Sequence, residues 1–368
     1  MLHSSFIPLP RRNSTSAESV IVFRAFRVAC WIPPSRFKNP LAGMLLCFAI
    51  AISMTTKRLE AQTNEPPPKR ERVLVETNIP YAQVDGQTLL CDIYLPKARA
   101  KTPPPQQQFS AAPDSSAPAE QEFAPLPAVL VIHGGAWASG NKMTIGTHAR
   151  ALAEAGMVAV SINYRLAPDH KFPRQLDDVR AALVWMGENA ARYSIDPQRI
   201  GLFGYSAGGH LSCLVGTLHD APWEVLAKTS QWPQEDPRWR KLPKVKAVVG
   251  GGTPCDFRDV PLDSDALSYF FGGAPRECPE VYLAASPTHH ASSGDVPMLL
   301  IHGNRDMLVP LASSERLCTA LRAAGATAEL HVLDGPGHML AFFHPELRKQ
   351  TIRFLSSQLG IDGEPNEP

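Results

Sequence analysis

Short apolar runs alternate with amphipathic stretches along most of this chain, and this alternation restricts the folds open to it. Six runs are almost continuously apolar, as expected for strands that are covered on both faces. They are AVLVIH (128–133), MVAVSIN (157–163), RIGLFGY (199–205), VKAVVG (245–250), MLLIH (298–302) and AELHVL (328–333). Helical patterns lie between or after them, near 144–155, 175–193, 206–218, 311–325 and 345–358. This order predicts an α/β fold, with a parallel sheet that carries helices on both faces.

Two further strands are predicted ahead of these six. RVLVETN (72–78) and TLLCDIYL (88–95) alternate apolar and polar residues, and Asp85-Gly86 between them is a turn signal. Such a pair is typical of an antiparallel hairpin. The complete sheet is therefore expected to have eight strands that are mostly parallel.

The first 71 residues differ from the rest. An arginine-rich stretch precedes the apolar run LAGMLLCFAIAISM (41–54), which is shorter than the roughly 20 residues of a membrane-spanning helix. A basic region followed by such a run is typical of a secretory signal peptide, with Ala61 as a candidate cleavage point. We therefore expect export to the periplasm or the extracellular space, and an uncleaved membrane anchor is the alternative. NEPPPKR (64–70) is typical of a linker to a catalytic domain at 72–360.

Much of the proline, 35 residues in all, lies between the predicted strands and helices. Residues 97–127 are rich in Pro, Gln, Ala and Ser, which indicates a low-complexity insertion. Residues 217–244 and 251–297 are longer than simple crossovers. Extra segments after the strands of an open α/β sheet lie over its carboxyl edge, where ligands bind. These two segments are therefore candidates for a cap or a pocket wall, and the alternative is that their aromatic residues only anchor long loops.

The pentapeptide Gly204-Tyr205-Ser206-Ala207-Gly208 matches G-x-S-x-G and lies between an apolar strand and a helix. A serine in such a sharp turn projects its hydroxyl above the edge of the sheet. The glycines allow a strained backbone and close packing, and the helix N-terminus supplies N–H groups and partial positive charge. Ser206 is therefore the candidate nucleophile, and an ordinary glycine-rich turn is the alternative.

A nucleophilic serine needs a histidine base and an acid that orients it, and here the acid is expected before the histidine in the chain. Asp306 follows the strand MLLIH, and His338 follows the strand AELHVL, so both loops emerge at the same edge of the sheet as Ser206. The predicted triad is thus Ser206, Asp306 and His338. The rival residues, which fit less well, are His302, His331 and Asp334.

Acyl transfer also needs hydrogen-bond donors for the developing oxyanion. The segment HGGAW (133–137) follows the third strand, and its glycines allow backbone N–H groups to turn toward the reacting carbonyl. The N–H groups of Gly134, Gly135 and Ala207 are predicted to form this oxyanion hole. His133 is expected to hold the loop, and a substrate pocket is expected beside Trp137 and Tyr205.

Five segments, HGGAW, NYRLAP, GYSAGGH, HGNRDMLVP and GPGH, together resemble the α/β-hydrolase superfamily. The resemblance is closest to the branch of esterases and lipases that includes hormone-sensitive-lipase-like and bacterial feruloyl-esterase-like enzymes. It covers roughly 72–358, apart from the insertion and parts of 217–297. It implies the same triad and oxyanion hole, and it assigns NYRLAP (163–168) and Asp177-Asp178 to positions that support the site. Ala136 departs from the pattern, because many relatives have a third glycine there.

The resemblance implies a serine hydrolase that cleaves carboxylic esters through an acyl-enzyme intermediate, on small esters or on acylated carbohydrate. A peptidase or amidase of the same fold is the alternative, and a catalytically inactive ligand-binding relative is a further one. Ester and amide substrates of the same acid separate the first two. Labelling by a fluorophosphonate separates both from the third.

Charge and motif content argue against other classes of protein. Lys and Arg (36) nearly balance Asp and Glu (35), whereas a protein that binds nucleic acid normally has a basic excess. The chain contains no P-loop, H-E-x-x-H or C-x-x-C motif, so neither a metal nor an organic cofactor is indicated. Cys213 is expected to be buried in a helix, and a disulfide between Cys255 and Cys278 is left open.

Overall fold

A computed structural model describes residues 72–97 and 124–361, so the predicted leader (1–71) and residues 98–123 of the predicted insertion lie outside the described residues. Within this part, the strands are β1 (Val73–Val84), β2 (Gln87–Pro96), β3 (Leu126–Ile132), β4 (Val158–Ile162), β5 (Ile195–Tyr205), β6 (Val245–Gly251), β7 (Met298–Gly303) and β8 (Ala328–Leu333). The five longer helices are α1 (Gly146–Glu154), α2 (Arg174–Glu188), α3 (Ala207–Thr217), α9 (Ala312–Ala324) and α11 (Pro345–Gln358). The short helices are α4 (Trp223–Leu226), α5 (Arg238–Lys241), α6 (Ser268–Phe271), α7 (Pro279–Ala284), α8 (Pro287–His290) and α10 (His338–Phe342).

The eight strands form one sheet in the order β1-β2-β4-β3-β5-β6-β7-β8. Only β2 runs against the others, since it is antiparallel to both of its neighbours while the remaining pairs are parallel. The predicted α/β fold and the predicted hairpin are therefore confirmed. The hairpin turns at Asp85-Gly86, where both residues have positive φ, 50° and 76°, as a type I′ turn requires.

Strand β5 begins at Ile195, earlier than the predicted start at Arg199. Ile195 pairs with Leu126 across the sheet. The residues between Ile195 and Arg199 are polar or, at position 197, proline. Neither is typical of a buried strand. Pairing with β3, which the local pattern does not reveal, therefore extends the strand.

Side chains of successive strand residues point to opposite faces of the sheet and bury two apolar layers. In β3, Leu130 and Ile132 pack on the face that α2, α3 and α9 cover. Val129 and Val131 face α1 and α11. Because all strands except β2 run in one direction, with β3 and β5 at the centre, their carboxyl ends bring the loops after β3, β5, β7 and β8 to one edge of the sheet.

The long segment 217–244 contains a small aromatic cluster of its own. Trp239 makes edge contacts with Trp223 and Trp232, at ring separations of 6.1 and 5.2 Å. The guanidinium of Arg238 lies 4.0 Å from the ring centre of Trp232, a favourable cation–π distance. These contacts favour the reading in which the tryptophans of this segment anchor a long loop.

The five cysteines of the described part, Cys91, Cys213, Cys255, Cys278 and Cys318, are all free. The disulfide between Cys255 and Cys278 that the sequence left open is therefore not formed, and Cys213 is buried on α3 as predicted. Over residues 72–97 and 124–361, no helix combines the length and the apolar character needed to cross a membrane.

Candidate active site

Ser206 lies in the turn between β5 and α3, with φ 55° and ψ −120°. This backbone conformation is unfavourable for a residue with a side chain, by about 1–3 kcal/mol, and persists only where the surroundings hold it. The neighbouring glycines make it feasible, because a Cβ on Gly208 would lie 2.0 Å from the carbonyl oxygen of Ile132. The N–H of Ser206 donates to the carbonyl oxygen of Gly251 at 2.7 Å. The turn is thus fixed by both β3 and β6.

His338 begins α10, directly after β8, and its Nδ1 lies 2.6 Å from Oδ2 of Asp306. Both side chains are almost fully buried. Oδ1 of Asp306 accepts the N–H groups of Leu308 and Val309, each at 2.9 Å. Because an ionised carboxylate only accepts hydrogen bonds, Nδ1 of His338 must be the donor. This fixes the tautomer and leaves Nε2 as the nitrogen that can accept a proton.

The environment of Asp306 favours its ionised form. Burial raises the pKa of Asp306, but hydrogen bonds from His302 and His338 outweigh burial and hold the pKa below its usual range. A carboxyl group whose pKa is lowered by folding stabilises the folded state at pH values above about 3.9, its ordinary pKa. This contribution declines as the pH falls toward the lowered pKa. Because its pKa lies below the usual range, Asp306 is a carboxylate at neutral pH.

The three rival residues occupy other positions. Asp334 accepts a hydrogen bond from Nδ2 of Asn304 at 2.7 Å, and His331 lies half-buried within β8. His302 is fully buried behind Asp306, with Nε2 2.8 Å from the carbonyl oxygen of Val309 and 3.3 Å from Oδ2 of Asp306. The structure therefore brings His338 onto Asp306 and gives His302 a supporting position that the sequence alone does not indicate.

Tyr205 contacts His338 through its ring and its hydroxyl group. Its ring lies 5.3 Å from the imidazole, and its hydroxyl donates to the carbonyl oxygen of His338 at 2.5 Å. The side chain is only 4% exposed, so Tyr205 is a buried support, in contrast to the expected place on a pocket wall. Since Ser206 follows Tyr205 directly, the same contact brings the serine turn and the histidine loop together.

The loop after β3 packs directly against this turn. A Cβ on Gly134 would lie 2.8 Å from the carbonyl oxygen of Tyr205 and 3.2 Å from Cβ of Ser206. Protein donors engage the carbonyl oxygens on the other side: Nδ1 of His133 lies 2.7 Å from the oxygen of Gly134, and the N–H of Ser139 donates to the oxygen of Gly135. In a trans peptide the N–H points away from the C=O. The N–H groups of Gly135 and Ala136, which lie opposite these two carbonyls, are thereby directed away from these partners.

Three backbone donors around Ser206 remain open to a ligand. Among the hydrogen bonds of residues 72–97 and 124–361, none has the N–H of Gly134, Gly135 or Ala207 as its donor. Ala207 is the first residue of α3, where the first N–H groups have no partner within the helix. The three predicted donors of the oxyanion hole are thus free to bind an anionic oxygen.

His133 and Trp137 are buried on either side of the glycine pair. His133 stacks on Tyr164 with 4.2 Å between ring centres, and burial lowers the pKa of His133 to about 4. It is therefore neutral near pH 7, in agreement with a structural role. Trp137 is 3% exposed and stacks on Phe270 of α6, so it lies beneath the loop and not on an open pocket wall.

The Asp177-Asp178 pair and NYRLAP form a buried polar network beside the site. Arg165 binds Oδ1 of Asp178 through Nη2 at 2.7 Å and Oδ2 of Asp85 through Nη1 at 2.7 Å. Asp177 accepts hydrogen bonds from Oγ of Ser230 and the N–H of Gln231. This network joins the β1-β2 turn, the segment after β4, α2 and the long segment 217–244.

Replacing Arg165 with leucine is expected to lower the free energy of unfolding by about 3–5 kcal/mol, because Asp178 would lose the partner of its buried charge. Urea unfolding followed by circular dichroism measures the change. The exposed Arg240 offers a matched control, since Arg240→Leu is expected to change the stability by no more than about 0.5 kcal/mol. Equal stabilities of the two variants would contradict the structural role of Arg165.

Comparisons with known proteins show which proteins this chain is similar to. Esterase LipC of Mycobacterium tuberculosis is 32% identical over 222 residues, which are 58% of this chain and 53% of LipC. Carboxylesterase NlhH of the same species is 48% identical over 94 residues, 25% of this chain and 30% of NlhH. The chain therefore spans about half or less of the length of these curated relatives.

A solved structure, a truncated form of a carbohydrate esterase from gut microbiota, superposes with a TM-score of 0.64 at 27% identity, over 80% of this chain and 100% of that one. It confirms the α/β-hydrolase fold. The model of the BD-FAE family matches residues 114–321, more than half of the sequence. The order of the motifs, the fold and this match lead to one conclusion: the chain belongs to the BD-FAE family of α/β-hydrolases.

Proposed function

We propose that this protein is a serine hydrolase that cleaves carboxylic esters through an acyl-enzyme intermediate. One observation carries the proposal: the 2.6 Å hydrogen bond between Nδ1 of His338 and Asp306, beside a serine held in a strained strand-to-helix turn. The similarity to curated esterases supports the choice of esters as the substrate class.

In the first step, Oγ of Ser206 attacks the ester carbonyl carbon while Nε2 of His338 takes the hydroxyl proton. The Asp306 carboxylate holds the imidazole and stabilises the imidazolium, and it does not itself accept the proton. The negative charge that develops on the carbonyl oxygen is bound by the N–H groups of Gly134, Gly135 and Ala207. One donor of this kind typically lowers the barrier by about 3 kcal/mol.

In the second step, the tetrahedral intermediate collapses and its bond to the alcohol oxygen breaks. The imidazolium of His338 protonates the departing alcohol, which leaves the acyl group on Ser206. A water molecule, deprotonated by the same imidazole, then attacks the acyl carbon. Ser206 recovers its proton from His338, and the carboxylic acid is released.

An ester carried on a carbohydrate is the substrate type that we favour within this class. The support is the superposition on a truncated form of a carbohydrate esterase, all of which this chain covers. Export of the protein, predicted from the leader, agrees with such a substrate.

The purified protein is expected to hydrolyse p-nitrophenyl acetate, and to act on it far faster than on p-nitroacetanilide, which presents the same acyl group as an amide. Esters react more readily because the alcohol is the better leaving group. A spectrophotometric assay of both substrates gives the ratio of kcat/KM. A larger kcat/KM for the anilide would favour the amidase alternative. Absence of turnover, together with absence of fluorophosphonate labelling, would favour an inactive relative.

Acetyl, butyryl, longer acyl and feruloyl esters, tested in parallel on the same alcohol, define the acyl preference. Acetylated xylooligosaccharides then test the carbohydrate proposal. p-Nitrophenyl acetate has an activated leaving group and reacts faster for that reason alone. Once its kcat/KM is corrected for this difference, we expect the acetylated sugar to have the higher kcat/KM. Turnover of the aryl esters alone would retain the esterase proposal and contradict the carbohydrate substrate.

A further inference from the structure

The loop that carries the glycine pair has an unusual backbone. Gly135, Ala136 and Trp137 have φ values of 119°, 51° and 58° in succession. Glycine adopts such values freely, but for alanine and tryptophan the left-handed region is unfavourable by roughly 1–2 kcal/mol each. A conformation of this kind persists only where neighbouring contacts determine it. The contacts that hold Trp137 therefore decide where the N–H groups of the loop point.

Two contacts hold the indole of Trp137. Its ring stacks on Phe270 with 4.2 Å between ring centres and 5° between ring planes. Its Nε1–H donates to Nδ1 of His210 at 3.1 Å. The stacking is apolar and adaptable, whereas the hydrogen bond fixes the orientation of the indole. This bond is fully buried, and breaking it would leave two buried polar atoms without partners.

His210 joins this loop to the helix of the candidate nucleophile. It lies on α3, and its N–H donates to the carbonyl oxygen of Ser206 at 2.9 Å. Its Nε2 lies 2.7 Å from the carbonyl oxygen of Ala285, after α7. A carbonyl only accepts, so Nε2 carries the hydrogen and Nδ1 is free to accept from Trp137. Burial lowers the pKa of His210 to about 4, which keeps this tautomer neutral near pH 7.

We propose that Trp137 and His210 are positioning residues that hold the oxyanion loop (133–137) against Ser206. The indole–imidazole hydrogen bond ties the strained part of the loop to the first turns of α3, so that the N–H groups of Gly134 and Gly135 converge with that of Ala207. Neither side chain touches the reacting atoms. The proposal rests on the proposed esterase function, because its effect is exerted on the oxyanion of that reaction.

The variant Trp137→Phe tests the hydrogen bond, since phenylalanine can still stack on Phe270 but lacks the indole N–H. We expect kcat to fall about 10- to 100-fold, less than the 10²–10³-fold that follows the loss of an oxyanion donor. KM is expected to stay within about threefold, because the ground-state ester gains little from the oxyanion hole. The affinity for phenylboronic acid, whose serine adduct places an anionic oxygen in the hole, is expected to fall by the same factor as kcat.

Two comparisons separate positioning from a general loss of structure. Trp185→Phe makes the same change beside Tyr193, near the amino end of β5 and away from the site, and it is expected to leave kcat unchanged. At His210, asparagine places an amide oxygen near the position of Nδ1 and leucine does not. His210→Asn is therefore expected to retain more activity and more boronate affinity than His210→Leu.

Hydrogen exchange of the full chain supplies a readout that does not depend on activity. The amides of Ala138 and Ser139 donate to the carbonyl oxygen of Gly135, so their exchange reports on the loop. Trp137→Phe is expected to raise exchange at these amides and to leave β5 and α3 unchanged.

An unaltered kcat in Trp137→Phe, or a reduced kcat with unaltered boronate affinity, would overturn the proposal and leave the esterase function standing. If the unmodified protein does not hydrolyse esters, the proposed function fails. Unchanged exchange at the amides of Ala138 and Ser139 in Trp137→Phe would then also overturn the positioning role of Trp137 and His210.

Discussion

Replacing Ser206 with alanine is expected to lower kcat for p-nitrophenyl acetate by about 10⁶-fold, the scale on which a serine protease loses activity when its nucleophile is removed. Alanine lacks the attacking oxygen, so no acyl-enzyme can form, and the remaining donors can only stabilise direct attack by water. Steady-state assays at high enzyme concentration measure the residual rate. The free energy of unfolding is expected to stay equal or to rise slightly, because the strained turn loses only the hydroxyl group of a half-buried serine.

Ser356→Ala is the matched control for this variant. Ser356 lies on α11, and its buried hydroxyl has no hydrogen-bond partner in the described part of the chain. We expect this variant to keep its full kcat, which shows that removing a serine hydroxyl elsewhere does not inactivate the protein. A Ser206→Ala variant with activity within about tenfold of the unmodified protein would refute Ser206 as the nucleophile.

Replacing Asp306 with asparagine is expected to lower kcat by about 10⁴-fold, by analogy with the same change in a Ser-His-Asp protease. An amide that keeps its oxygen toward the N–H groups of Leu308 and Val309 turns its NH₂ toward Nδ1 of His338. Nδ1 must then accept, and the hydrogen moves to Nε2, where it prevents the imidazole from acting as a base. The rate of p-nitrophenyl acetate hydrolysis between pH 6 and 9 measures this loss.

Asp334→Asn makes the same chemical change at the rival acid. Asp334 accepts from Asn304 at the surface, so this variant is expected to retain nearly full activity. If Asp334→Asn reduced kcat more than Asp306→Asn, the acid of the proposed triad would be assigned wrongly. Nuclear magnetic resonance of the His338 ring protons provides an independent check, since the tautomer is expected to change only in Asp306→Asn.

The sequence was sufficient to predict the framework, because the framework depends on patterns that are local in the chain. Each apolar run of strand length became a strand, and the order of loops after β5, β7 and β8 placed Ser206, Asp306 and His338 at one edge of the sheet. The pairing of His338 with Asp306 follows from that placement, and the 2.6 Å contact agrees with it.

What the sequence did not reveal depends on contacts between distant segments. Trp137 and Tyr205 were expected at a pocket, but Phe270 and His338 cover them from elements far away in the chain. The supporting position of His302 behind Asp306 also depends on how the loop after β7 folds back, since Nε2 of His302 meets the carbonyl oxygen of Val309. His302 is a strand residue and Val309 a loop residue, and no local sequence pattern predicts that the two meet.

The proposed function requires Ser206 to be an activated nucleophile. Mass spectrometry after reaction of the folded protein with a fluorophosphonate tests it most directly, because only an activated serine reacts rapidly with this probe. We expect one adduct per chain, located on the peptide that contains Gly204-Tyr205-Ser206-Ala207-Gly208, and no adduct when the protein is unfolded first. An adduct on a different residue, or ester hydrolysis by a protein that the probe leaves unlabelled, would contradict the assignment of Ser206 as the nucleophile.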